Sequence, residues 1–254
     1  MIHNPDCRSR DRLAAFFEAF AVSTSLMETD AAEGRVLLSL VGCGSEITQI
    51  VLDMRRPDAA LPNLLLRVAV DFGGATNPLL SAMPARFAVD LDNQPILKAT
   101  ASAFAAEAAG QRCGRQVAVD RLCEVVLLLM LRQAIERGAS RPGLLAGLSH
   151  PGLQRALVAM HNDPSRAWRM EDLADICGMS RSTFMATFPK VVGVTPAAYL
   201  QSWRIVTGQR ALLRGEAVKA VARRSGFSSS EAFSRAYSRQ FGHAPRDALS
   251  QVSR

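Results

Sequence analysis

The chain has 254 residues, 48% of them hydrophobic and 21% charged, enough apolar content to bury a core in one large domain or two smaller ones. Its longest apolar run, Val125 to Leu131, falls far short of the ~20 residues that span a bilayer, and the charged start "MIHNPDCRSRDRL" lacks the apolar centre of a secretory signal, so a cytoplasmic protein without a membrane partner is expected. The net charge of +7 is unevenly shared: residues 151–254 hold 15 Lys and Arg against 7 Asp and Glu, and residues 1–150 hold 15 against 16. A polyanion partner is therefore expected for the C-terminal part alone, because counterion release from phosphates rewards concentrated positive charge.

In chain order, "RVLLSLV" (35–41), "EITQIVLD" (46–53) and "NLLLRVAVDF" (63–72) read as strands, and "GCGS" between the first two favours a hairpin turn. "GCGS" lacks the remainder of a phosphate-binding G-x-x-x-x-G-K-[ST] loop. Beyond Asn77-Pro78 the pattern turns helical: "ILKATASAFAAEAAG" (96–110) and "RQVAVDRLCEVVLLLMLRQAIERG" (115–138) form an expected antiparallel pair. The second is apolar around most of its circumference, as befits either a central core helix or one that packs on a second subunit. "GASRPGLLAGLSHPG" (138–152) has the composition of a linker.

Chemical motifs are sparse. Five cysteines (Cys7, Cys43, Cys113, Cys123, Cys177) include no C-x-x-C pair and are expected as buried small hydrophobes. His3, His150, His161 and His243 lie far apart and form no local ligand pair. No cofactor, metal or catalytic residue is expected.

The basic third contains an internal repeat. "LADICGMSRSTFMATFPKVVGVTPAAYL" (173–200) aligns with "VARRSGFSSSEAFSRAYSRQFGHAPRDAL" (221–249). Ala174, Gly178 and Ser180 match Ala222, Gly226 and Ser228, each 48 positions on; Phe184, Phe188, Gly193 and Pro196 match Phe233, Tyr237, Gly242 and Pro245, each 49 on. The alanine lets two helices approach, and the glycine ends the first of them. Met179 or Phe227 then plugs the angle, and Ser180 or Ser228 caps the second helix. Phe184 with Phe188, and Phe233 with Tyr237, bury one face of that helix and free the other for a major groove. Between the copies, "TPAAYLQSWRIVTGQRALLRG" (195–215) reads as a helix of about fifteen residues, ~22 Å long, able to separate two reading heads. Pro189 should end or kink the first recognition helix, and Gly208 should soften the connecting one by ~1 kcal/mol relative to alanine.

On Trp168, "EDLADICGMSRSTFMATF", "GVTPAAYLQSWRI" and "VARRSGFSSSEAFSRAYSRQFGHAP", residues 155–249 resemble the double helix-turn-helix domain of AraC/XylS-type transcription regulators. The N-terminal part is similar to their cupin-like sensor, in abbreviated form. The resemblance implies an α+β protein: a cupin-like effector-sensing and dimerisation domain over 1–140, a linker over 141–152 and the DNA-binding domain over 153–254. It implies double-stranded DNA and RNA polymerase as partners, a small-molecule effector and a homodimer, with activation as the more typical outcome. Carried over position by position, the DNA-facing residues are Arg181, Ser182, Met185 and Ala186 in the first recognition helix, and Ser230, Glu231, Ser234, Arg235 and Arg239 in the second. Arg223 and Arg224 hold phosphates or are merely solvated; Arg235 is the candidate for a guanine contact. Trp168 is expected as a packing anchor. Two alternatives stay open, a low-specificity architectural or repair protein and, less favoured, a cupin-type enzyme.

Overall fold

The computed structural model describes residues 22–26, 36–44, 46–54, 61–72, 83–138 and 142–248, together with Leu13, Phe17 and Asn77. His3, Cys7 and Pro78, named above, lie outside the described residues. The chain divides into two compact units, one of residues 21–138 and one of residues 1–20 with 139–254.

In the first unit, five strands form one antiparallel sheet: β1 (Ser23–Leu26), β2 (Val36–Cys43), β3 (Glu46–Asp53), β4 (Leu64–Asp71) and β5 (Arg86–Asp90), in the order β1-β4-β2-β3-β5. β2 and β3 form the expected hairpin, with Cys43 facing Glu46 across the turn. Pairing slips between Val41 and Gly42, a bulge that needs glycine because a Cβ there would collide with the Glu46 carbonyl oxygen. β1 and β5 went unforeseen. They are short edge strands, too brief for alternation to register, and β5 corrects the reading of everything beyond Pro78 as helical.

Two helices, α1 (Pro95–Ala109) and α2 (Arg115–Arg137), pack against each other and the sheet. α1 buries Leu97, Ala101 and Phe104, and α2 buries Val119, Cys123, Val126, Leu127 and Met130. The Asp120 carboxylate pins edge strand β1 to α2, accepting from the Thr24 N–H (2.7 Å) and hydroxyl (2.6 Å). The seam between sheet and helices, lined by Leu52, Met54, Phe72, Met83, Leu127 and Met130, closes to a void of about 10 Å³. Cys123 and Cys177 are buried as expected, whereas Cys43 and Cys113 are exposed, the first at the end of β2 and the second in the turn before α2.

The helices of the second unit are α3 (Leu144–Ser149), α4 (Leu153–Asn162), α5 (Met170–Cys177), α6 (Arg181–Val192), α7 (Pro196–Leu213), α8 (Val218–Arg224) and α9 (Ser230–Phe241), followed by a short 3-10 turn (Pro245–Asp247). The stretch expected as linker is corrected here. It holds α3, whose Leu144, Leu145 and Leu148 are buried, and a Cβ on Gly147 would press on Leu157 and Val192. Its glycines serve close packing as well as chain reversal. Among the described residues no helix is long and apolar enough to cross a membrane.

Candidate nucleic-acid interface

The repeated sequence folds into two turns closed by the same hydrogen bonds. In the first, α5 ends at Gly178 (φ +67°), the Met179 N–H donates to the Ala174 carbonyl (3.0 Å), and Ser180 Oγ accepts from the Thr183 N–H (3.1 Å) to start α6. In the second, Gly226 (φ +75°) follows α8 and the Phe227 N–H donates to the Ala222 carbonyl (3.0 Å). These bonds reach back across the helix end and satisfy carbonyls that would otherwise be orphaned. The second cap is Ser229, which accepts from the Ala232 N–H (3.1 Å), and not Ser228. The extra residue of the second turn therefore lies before the cap, so Ser180 corresponds to Ser229.

Each recognition helix stands on an aromatic ladder. Phe184 and Phe188 contact edge to face (5.5 Å), and Phe188 meets Tyr199 of α7 (5.9 Å). In the second head Phe227, Phe233, Tyr237 and Phe241 form a chain, with centroids 5.3, 5.7 and 4.5 Å apart. Such pairs add about 0.5–1.5 kcal/mol beyond burial. α6 runs through Pro189 to Val192, which corrects the expected end; the burial of Phe188 and Val192 on its core face outweighs one lost N–H.

α7 has 18 residues and is ~27 Å long, longer than expected, and it serves both heads. Its N-terminal half carries Tyr199 and Trp203 against the first: His161, wholly buried, stacks on Trp203 (3.9 Å) and shares a 2.7 Å hydrogen bond with the Tyr199 hydroxyl. Its C-terminal half carries Ile205, Ala211 and Leu212 into the core of the second. Gly208 lies between them, where a Cβ would come within 2.8 Å of Phe233. The glycine is a contact point rather than a weak spot.

The heads also touch directly. Arg204 of α7 donates to the Pro164 and Arg166 carbonyls, holding the 163–166 loop, and a Cβ on Gly226 would lie 2.7 Å from the Ser165 carbonyl oxygen. The second turn thus sits on the loop that precedes the first motif. Trp168 closes that loop by donating to the Asp163 carbonyl (2.9 Å) beneath the Arg166 guanidinium.

The residues carried over from the resemblance fall on the faces opposite the aromatic ladders. Glu231, Arg235 and Arg239 are exposed and four residues apart, hence in one row along α9, with Ser230 and Ser234 half-buried beside it. On α6 the corresponding row is Ser182, Ala186 and Lys190, all exposed, with Met185 half-buried to one side. Lys190 was not foreseen, although the 49-residue register sets it opposite Arg239. Arg181 lies at the edge, in an ion pair with Glu171 (2.9 Å).

Ion pairing sorts the cations. Arg224 is paired with Glu216 (2.6 Å) and Arg166 with Asp172 (3.5 Å). Among the described residues no carboxylate pairs with Lys190, Lys219, Arg223, Arg235 or Arg239. Two of these, Lys219 and Arg223, join Phe227 and Ser228 to Ser230 around an open groove of about 640 Å³ at the start of α9. The two cations and the Ser228 hydroxyl suit a phosphate. Among the described residues no three His, Cys, Asp or Glu converge as metal ligands.

Comparison with known proteins agrees with this architecture. Residues 173–251 match the helix-turn-helix domain family and residues 26–136 match a cupin family. The transcriptional regulator AlkR of Acinetobacter baylyi is 33% identical over 175 residues, 67% of this chain and 57% of that protein. An AraC-like transcription regulator of Streptomyces lividans is 40% identical over 130 residues, 50% of this chain and 43% of that one. The chain thus spans about half the length of the curated relatives it matches. ToxT from Vibrio cholerae aligns over 93% of this chain and 99% of its own, at 14% identity and a TM-score of 0.45. The chain thus carries a match to a cupin family over residues 26–136 followed by a match to the helix-turn-helix domain family over residues 173–251.

Proposed function

We propose that the chain is a sequence-specific DNA-binding transcription regulator, in which two helix-turn-helix heads held by one helix enter adjacent major-groove openings. The observation that carries this reading is the pair of serine-capped helices, 49 residues apart in register, each burying an aromatic ladder and exposing a row of reading positions. Successive openings on one face of a duplex lie ~34 Å apart, a separation compatible with a connector ~27 Å long between two helices of finite width. The unpaired cations Lys190, Lys219, Arg223 and Arg239 supply phosphate contacts, and Arg235 with the polar rows supplies base contacts.

The finer parts of the reading are a homodimer, a small-molecule effector acting on the cupin domain, a cytoplasmic site of action and regulation through RNA polymerase rather than catalysis. The names of the relatives support the regulatory part: both are transcription regulators. The test is sequencing of genomic fragments retained by the purified full chain at physiological salt. A recurrent consensus is the expected result. Retention without sequence preference would favour the architectural alternative.

A further inference from the structure

Glu231 is out of place on a surface meant for phosphates. It sits in the first turn of α9, fully exposed, in the same row as Arg235 and Arg239. A carboxylate there repels every backbone phosphate, so its use, if it touches DNA at all, is to a base edge. It is ionised: its own backbone N–H, the Ser229 and Ser230 hydroxyls and the Arg235 charge keep its carboxyl below the usual carboxylate range, and Ser230 Oγ donates to Oε1 at 3.2 Å. An ionised carboxylate only accepts hydrogen bonds, and the major-groove partner that offers a donor without a competing acceptor is the cytosine N4 amino group. Adenine sets its acceptor N7 beside N6, which an acceptor-only group meets poorly.

We propose that the second head reads a cytosine through Glu231 and a guanine through Arg235, making α9 the specificity-determining helix of the pair. The two side chains start about 6 Å apart along the helix axis, about two steps of the ~3.4 Å base stack, so the cytosine and guanine lie within about two base pairs of each other. In the first head the same row positions carry Ser182 and Ala186. A hydroxyl that donates or accepts and a methyl that meets only a thymine methyl discriminate weakly. Base preference therefore concentrates in the half-site under α9, while Lys190 holds the other head by charge. This inference rests on the DNA-binding reading above and adds the bases.

Selection from a randomised duplex pool by the full chain, in parallel with Glu231→Gln and Glu231→Ala, tests it, with thermal melts of each variant to show that it folds. Glutamine both donates and accepts and suits adenine. The expected result is a wild-type motif with a strong cytosine near a strong guanine. In Glu231→Gln that cytosine turns to adenine, in Glu231→Ala it fades by about 5- to 100-fold in preference, and the guanine stays in both. A cytosine unchanged in the variants, or a motif whose information lies under α6, overturns the assignment and leaves the regulator reading standing. No motif for the wild-type chain overturns both.

Discussion

Gly178 and Gly226 occupy the same place in the two turns and have the same backbone sense, yet their surroundings differ. Beside Gly178 an added Cβ would meet only the Arg155 guanidinium at 3.7 Å, whereas beside Gly226 it would meet the Ser165 backbone at 2.7 Å. Gly178→Ala then costs only the left-handed conformation, about 1–2 kcal/mol. Gly226→Ala costs that plus displacement of a neighbouring loop, a further ~1–3 kcal/mol. Urea melts of both variants should rank them in that order; equal losses would mean that the heads are not in contact there. The glycines and their handedness were legible from the repeat, but the Ser165 contact was not, since it joins residues far apart in sequence. His161 is a second residue whose surroundings no local pattern announced. Burial pushes its pKa down to about 3 from the ordinary 6.5, so on acidification the unfolded chain binds a proton that the folded chain refuses. Stability due to this group is complete above pH ~6.5 and falls by up to about 1.4 kcal/mol per pH unit on the way down to pH ~3. The loss between pH 7 and pH 5 should shrink in His161→Gln, and an identical loss in both proteins would place the titration elsewhere.

At the scale of elements, the helices were easier to read than their ends. Apolar spacing and glycine stops reported α1 and α2 to within a residue at each end, whereas α7, read as about fifteen residues, runs to 18. A cap is a single side chain, and where three serines stand in a row, Ser228, Ser229 and Ser230, composition cannot choose among them. The structure selects Ser229. Ser229→Ala should lower stability by about 1 kcal/mol, and Ser228→Ala, whose side chain caps nothing, should leave it within about 0.5 kcal/mol. Thermal melts that reversed these two would return the cap to Ser228. Pro189 teaches the converse lesson. Local chemistry argues for a stop, but the burial of Phe188 and Val192 lies outside the reach of a propensity rule and carries the helix on. β1 and β5 escaped notice for a related reason: edge strands of four and five residues owe their existence to a neighbour's hydrogen-bonding edge rather than to their own pattern.

For the whole molecule, the division of charge singled out the unit that carries the helix-turn-helix heads, and the repeat foretold that there are two. What the sequence could not display was their mounting, since Arg204 holding the 163–166 loop and Gly226 resting on Ser165 are tertiary facts. The N-terminal unit yields a prediction at this scale. On α2, Val117 and Val125 are 67% and 43% exposed, and Leu129 is half-buried one turn further along. If α2 forms a dimer seam, Leu129→Glu should convert the dimer to monomer in size-exclusion chromatography with light scattering, and a dimer indifferent to that charge would place the interface elsewhere.

The central claim is that two heads grip one duplex side by side. Hydroxyl-radical footprinting of the full chain on a selected site addresses it most directly. The account predicts two protected windows on the same face of the DNA, about one helical turn or 10 base pairs apart, the one under α9 losing protection in Arg235→Ala. A single window, or two on opposite faces of the duplex, would contradict it.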